Sequence, residues 1–212
     1  NLGGGAYCED LLFWFSLIWS PEIRRRMSLH KKHADRIHIN CLEFAVALLQ
    51  LAAVITRLEA AVPGELGPVF PQGYPDVPVL LCRTDNMSTK SWANKVSSAS
   101  PHTQGLIVLL ASLLWRTTCG FTGKLLAGHL NGTADILSRP DLTISPTALC
   151  SQIYQTKPEL RSWSFFLPNP VFVALRGPLG LGQHFVLPGH QVCHDRQLPT
   201  RRCQFSGPFL GC

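Results

Sequence analysis

The stretch that decides the fold is residues 77–95, VPVLLCRTDNMSTKSWANK. Residues 77–84 read as an unbroken apolar strand, of the kind buried on both faces of a sheet. Asp85 and Asn86 end it, and a helix over about 87–96 follows. Strand, polar turn and helix in that order form an α/β unit, and open α/β sheets place ligands just outside the carboxyl ends of their strands. Asp85 is therefore a candidate site residue. The plain alternative is that it caps the helix that follows.

Working downstream, a third helix pattern covers 103–118, started by Ser100-Pro101. Residues 121–127 (FTGKLLA) read as a last strand, 128–132 as a turn, and 133–138 as a short helix stopped by Arg139-Pro140. Upstream, residues 62–76 form a Pro/Gly loop. Residues 41–59 read as a helix with Asn40 as N-cap and Glu43 in its first turn, where the helix dipole favours a carboxylate. Its alanines, leucines and valines cover almost the whole circumference, which predicts burial against a sheet. Residues 3–9 and 11–19 read as two short aromatic strands joined at Glu9-Asp10. The order is two strands, preceded by another, then α-β-α-α-β-α. That predicts a mixed α/β sheet with helices on both faces over residues 1–140. From 141 to 212 the chain is rich in proline, glycine and isolated aromatics without a sustained period, which predicts an irregular extension.

Acids are outnumbered, 13 against 19 Lys and Arg, giving a net charge of +6 and a pI near 9.0. Acids inside apolar segments therefore need a reason. Three stand out: Glu43 in INCLEFAVALLQLA, Asp85 in the stretch above, and Asp135 in AGHLNGTADILSRP. Gathered at one point they would offer oxygen ligands to divalent cations. The basic balance favours a polyanion partner. Residues 22–39 carry Arg24, Arg25, Arg26, Lys31, Lys32 and Arg36 against Glu22 and Asp35. This reads equally as a solvated loop or as a phosphate-contacting segment. The eight cysteines include no C-x-x-C pair, which predicts a reducing, intracellular setting, cytoplasmic or nuclear. The apolar runs 11–19, 44–55 and 106–115 are too short to span a bilayer, so no membrane partner is expected.

Four segments in order resemble a ribonuclease H domain, of the type found in retrotransposon polymerase polyproteins and particularly the tyrosine-recombinase class. NLGGGAY looks like the continuation of an opening D-A-S motif with its G-x-G. HINCLEFAVALL resembles the segment with the second acid, LLCRTDNMSTKSW the T-D-N segment with the third, and GHLNGTADILSRP the G-x-x-N-x-x-A-D-x-L-S-R ending with the fourth. The resemblance covers residues 1 to about 140. It implies a ribonuclease H-like five-stranded mixed sheet, Glu43, Asp85 and Asp135 as catalytic metal ligands, and two Mg2+ ions, with Mn2+ as a substitute. The implied reaction is hydrolysis of the RNA strand of an RNA–DNA hybrid. Such a protein reads hybrid shape, phosphates and 2′-hydroxyls, with Lys90, Lys95 and the basic 24–36 segment as the candidate contacts. A reverse transcriptase domain of the same polyprotein is the implied partner.

The sequence departs from that pattern in two places. The D-A-S motif would stand immediately before Asn1, so the family's first acid and most of its first strand are missing. A fragment of a polyprotein or a truncated gene copy is expected, with a non-catalytic nucleic-acid-binding relic as the second reading. The family's histidine three residues before the glycine of G-x-x-N is replaced by Leu125, while His129 follows that glycine and is expected to be a turn residue. In the tail, His190, Cys193, His194, Cys203 and Cys212 are ligand types, but only His190-x-x-Cys193 is tightly spaced, so zinc is not expected.

Overall fold

The computed structural model describes residues 3–61, 79–98, 100–117, 119–139, 146–165 and 209–211. The 62–76 loop expected from sequence lies outside them. The chain opens with a hairpin, β1 (Gly3–Cys8) antiparallel to β2 (Phe13–Ile18), pairing Gly3 with Ile18 and Cys8 with Phe13. The turn spans Glu9 to Leu12, and Leu12 adopts a left-handed backbone (φ 49°). The aromatic strand β2 is buried on both faces from Phe13 to Leu17.

The segment expected to be a basic loop begins with a helix, α1 (Pro21–Met27). Ser20 caps it, its Oγ accepting from the Ile23 amide at 3.3 Å, and Pro21 supplies a helical φ at the first position. The Ser-Pro signature is the signal the charge run concealed. The long helix α2 (Ile39–Ala61) starts earlier than the apolar pattern indicates. The residue before it, His38, does the capping: its Nδ1 accepts from the Asn40 amide at 3.3 Å and its carbonyl from Cys41 at 2.9 Å. Asn40 is thus not the cap, and Glu43 stands beyond the first turn, where the dipole gives little support. Ile39–Leu58 has the length and mean hydropathy (1.9) of a membrane span, more than the 44–55 run suggested, and 67% of it is buried inside the fold. Leu42, Phe44, Ala45, Leu48, Leu49 and Ala53 are fully buried around its circumference.

Three further helices follow. Asn86, not Asp85, caps α3 (Met87–Lys95), its side chain accepting from the Thr89 amide at 2.9 Å. Helix α4 (Pro101–Thr117) packs on α2, with Thr103 Oγ1 and Cys41 Sγ 3.3 Å apart. A 3-10 turn (Gly128–Leu130) leads into α5 (Gly132–Ser138). Within the expected irregular extension, α6 (Pro146–Thr156) and a 3-10 turn (Pro158–Ser162) are ordered against the hairpin. Trp14 holds them: its Nε1 donates to the Leu160 carbonyl at 3.2 Å and its ring meets Tyr154 and Phe165 edge-on. Leu137, Ile153 and Leu160 close a second small core around it.

The architecture is mixed α/β, but the strands do not form the single five-stranded sheet expected. Strand β3 (Val79–Thr84) pairs in parallel with β4 (Gly120–Leu125) along its whole length. The two-residue β5 (Ser164–Phe165) joins β2, and β6 (Phe209–Gly211) joins β3. Two three-stranded sheets result, ordered β1-β2-β5 and β4-β3-β6. The reason is that β1 and β3 stand apart with no strand pairing to both. β3 is also less buried than its apolar run predicts. Leu80 and Cys82 are buried while Val79 and Leu81 are half-buried. Cys82 and its partner Gly123 share one face, which α2 and α3 cover through Gln50 and Lys90–Ala93.

β1 is clasped on both faces. A side chain at Gly4 would run into Val46 of α2 and Trp19, and one at Gly5 into Leu137 of α5. Neighbouring strand residues point to opposite faces, so these two glycines let both helices approach the same strand. Gly5→Ala is expected to destabilise the fold by about 1–3 kcal/mol through overpacking. Urea denaturation checks it; an unchanged midpoint would show that α5 is not tightly seated.

Candidate functional site

The gap between β1 and β3 is a cavity of about 320 Å3. β1 contributes Gly3 to Tyr7, α2 contributes Glu43, Val46 and Gln50, the end of β3 contributes Cys82 to Asp85, and α5 contributes Ala134 and Asp135. The three acids singled out by sequence thus line one cavity from three separate elements.

Each acid is held differently. Glu43 is half-buried and accepts a hydrogen bond from Asn86 Nδ2. Asn86 is a hub. Its Nδ2 also donates to Asn40 Oδ1 at 3.1 Å, its Oδ1 caps α3, and Asn40 Nδ2 donates to Ser88 Oγ at 2.8 Å. This carboxamide network ties the start of α2 to the end of β3. Asp85 is exposed just past β3, where an α/β sheet presents its ligands. The capping role that would have explained it otherwise belongs to Asn86. Asp135 lies in the first turn of α5, where the dipole favours a carboxylate, and pairs with Arg139 one turn on at 3.0 Å. That pair is solvent-exposed and so contributes little to stability.

The electrostatics agree with the placement. Burial raises the Glu43 carboxyl above its ordinary value of 4.5, the Asn86 hydrogen bond pulls it down, and the charges of Asp85 and Asp135 push it up. Among the described residues, no three His, Cys, Asp or Glu side chains converge on a single point that would hold a metal ion. The donor set still suits Mg2+, which keeps several waters and needs only one or two carboxylates plus substrate oxygens. Oxygen ligands ringing a cavity fit it better than a cation requiring an all-protein cage.

The opposite end of the cavity is different in character. Gln50, a lone polar residue in an apolar helix, is buried and bridges the two sheets. Its Nε2 donates to the Tyr7 carbonyl at 2.8 Å and its Oε1 accepts from Cys82 Sγ at 3.9 Å. Burial pushes the Cys82 thiol up to about 12, so it stays a neutral donor. Along α2, Glu43 meets Asn86, Val46 meets Gly4 and Gln50 meets Tyr7, so Glu9 and Arg83 belong to the end away from the acids. Arg83 lowers the Tyr7 and Asp10 pKa values there, against the burial that raises both. Neither Gln50 nor Arg83 is marked as a site residue by motif. Each is a polar residue interrupting an apolar run, and that is the signal that could have found it.

The basic candidates separate by exposure. Arg25, Lys31, Lys32 and Lys95 are exposed, and Arg24 and Lys90 half-buried. Arg25 makes a bidentate pair with Glu22, both bonds 2.7 Å. Arg26 is buried, its Nε donating to the Asp35 carbonyl at 2.9 Å, so it ties the connector together rather than facing a phosphate. None of the seven lines the acid cavity. His129 is exposed in the 3-10 turn, as expected of a turn residue. The cysteine and histidine positions of the tail lie outside the described residues. No protein-family model, curated protein or solved structure matches this chain.

Because folded Glu43 binds its proton more tightly than unfolded Glu43, protonation stabilises the fold below the unfolded value of 4.5. That contribution is lost as pH rises through the higher folded value. Glu43→Gln keeps an acceptor for Asn86 and removes the loss. The variant should melt a few degrees above the parent near neutral pH, with the difference closing below about pH 4. A gain of equal size at every pH would show that the charge at Glu43 is not what costs stability.

Proposed function

We propose that this chain is a retroelement-type ribonuclease H module that hydrolyses the RNA strand of an RNA–DNA hybrid. The observation that carries the reading is the shared cavity. Glu43, Asp85 and Asp135, from α2, the end of β3 and α5, line it together, and Glu43 feels the charge of the other two. Sequence spacing alone does not require this. The four-segment resemblance adds the reaction class, and the oxygen-only donor set adds the cofactor, Mg2+.

On this reading Glu43, Asp85 and Asp135 would hold the ions. When bound, they supply an activated water and stabilise the leaving 3′ oxygen. The rest belongs to the chain. Asn86 holds the Glu43 carboxylate next to Asp85 through one carboxamide that also caps α3, so the two acids move as a unit. Asp135 is held near them by Arg139, and that exposed pair opens at little cost when a cation competes for the carboxylate. Burial keeps a proton on Glu43 to higher pH than usual, so ligation and turnover should rise as that proton leaves. The exposed Arg25, Lys31, Lys32 and Lys95 provide phosphate contacts without reading bases. The proposed partners are the hybrid and a reverse transcriptase domain of the same polyprotein.

One observation favours a second reading, a nucleic-acid-binding relic without turnover: the three carboxylates do not converge, and Asp135 has a cationic partner. Cleavage of a labelled RNA–DNA hybrid in Mg2+ separates the two. The chain and a version extended by Asp-Ala-Ser before Asn1 would be assayed side by side. The nuclease reading expects cleavage by the extended chain, its loss in Asp85→Asn with the fold intact, and hybrid binding that weakens with salt. Folded protein that binds hybrid but cleaves in neither form supports the relic. Cleavage surviving Asp85→Asn would sink the site assignment.

A further inference from the structure

The cavity has the shape of a missing strand. On one side is β1, paired only to β2 and so carrying a free edge. On the other is β3, whose edge away from β4 is taken at Val79–Leu81 by β6 and open from Cys82 to Thr84, where the cavity begins. Leu42, Val46 and Ala47 of α2 line one face, and Leu130 and Ala134 line the α5 side. Unpaired strand edges are templates for a further strand. Here two of them border the same slot, with apolar helical surface available to side chains on either face. Gln50 spans the slot at one rung, offering a donor and an acceptor as a peptide group would.

One strand already uses this edge. β6 lies parallel to β3, placing Phe209 beside Val79, Leu210 beside Leu80 and Gly211 beside Leu81. Leu80 is buried, so Leu210 falls on the covered face of the sheet, while Gly211 points the chain direction toward Cys82 and the open slot. The hold is slight. Parallel ladders are slightly weaker per residue than antiparallel ones, and three residues make a very short strand.

We propose that the slot-facing edge of β3 is a strand-docking site, and that its occupant is the chain's own segment carrying β6, which docks and leaves reversibly. Docked, it closes the end of the slot opposite the acids and withholds the β3 edge from any other strand. Released, it leaves that edge bare from Val79 to Thr84. This regulates access to the acid cavity, and it stands independently of the nuclease reading, because docking is read out by exchange and peptide binding rather than by cleavage.

The test uses the full chain and a Phe209→Pro/Leu210→Pro variant, since proline cannot donate to a ladder. Circular dichroism first establishes that both are folded. In hydrogen exchange, the 79–84 segment of the variant should exchange at least about tenfold faster than in the parent, with β4 unchanged. A labelled peptide copying residues 206–212, kept reduced, should then bind the variant at least about tenfold more tightly than the parent, whose edge is occupied. Equal exchange of 79–84 in both proteins would overturn the proposal, as would equal peptide affinity. A parent that is dimeric only while β6 is intact would assign the docked strand to a second copy and equally overturn docking by the chain's own segment.

Discussion

Everything at the site depends on how closely two helices approach one strand. β1 carries no side chain at Gly4 or Gly5, so Val46 of α2 sits against one face and Leu137 of α5 against the other. Each contact fixes the position of an acid elsewhere on the same helix. Glu43 lies about one turn from Val46, and Asp135 lies two residues from Leu137. A methyl group at either glycine would push a helix outward and move a carboxylate with it. Trp19 and Trp14 support the clasp, the first against Gly4 and the second through the small core it shares with Leu137.

The third acid is brought in by polar rather than apolar contacts. Asn86 joins Glu43, Asn40 and the first turn of α3 through a single carboxamide, fixing the carboxyl end of β3 against the start of α2. Such a buried network is worth keeping only if its members are satisfied, and here each amide function has a partner. The cost falls on Glu43. It is half-buried beside two like charges, and its proton is held more tightly as a result. A cation in the cavity would relieve both effects, because it supplies the opposite charge that burial removes.

The gap between the two sheets is the other consequence of this arrangement. β1 and β3 face each other across a cavity rather than across a ladder, and Gln50 is the side chain that spans it. A lone glutamine in an apolar helix is costly unless both ends of its amide are used, and here both are. The bridge lets two small sheets share one buried helix, although β6 reaches only part of the β3 edge.

Much of this was legible in the residues, and the failures have specific causes. The apolar run before Asp85, the hairpin at the start and the all-round apolar helix follow from local periodicity, which a chain carries along its own length. They were read to within a few residues. Cap chemistry was misread in three places: Ser20-Pro21 starts a helix inside the basic connector, His38 displaces Asn40, and Asn86 displaces Asp85. Caps depend on which of several adjacent polar groups takes the non-helical φ and ψ, and neighbouring candidates compete on nearly equal terms. The burial of Arg26, the bridge made by Gln50 and the packing of 146–165 on Trp14 left no periodic trace, because each joins elements distant in sequence. By itself, then, the sequence determined the element types, the α/β class and the identity of three acids in apolar settings. Only the tertiary structure decided that those acids share one cavity and that the strands part into two sheets. Both depend on distances between segments tens of residues apart, and such distances are set by packing and edge pairing rather than by local propensity.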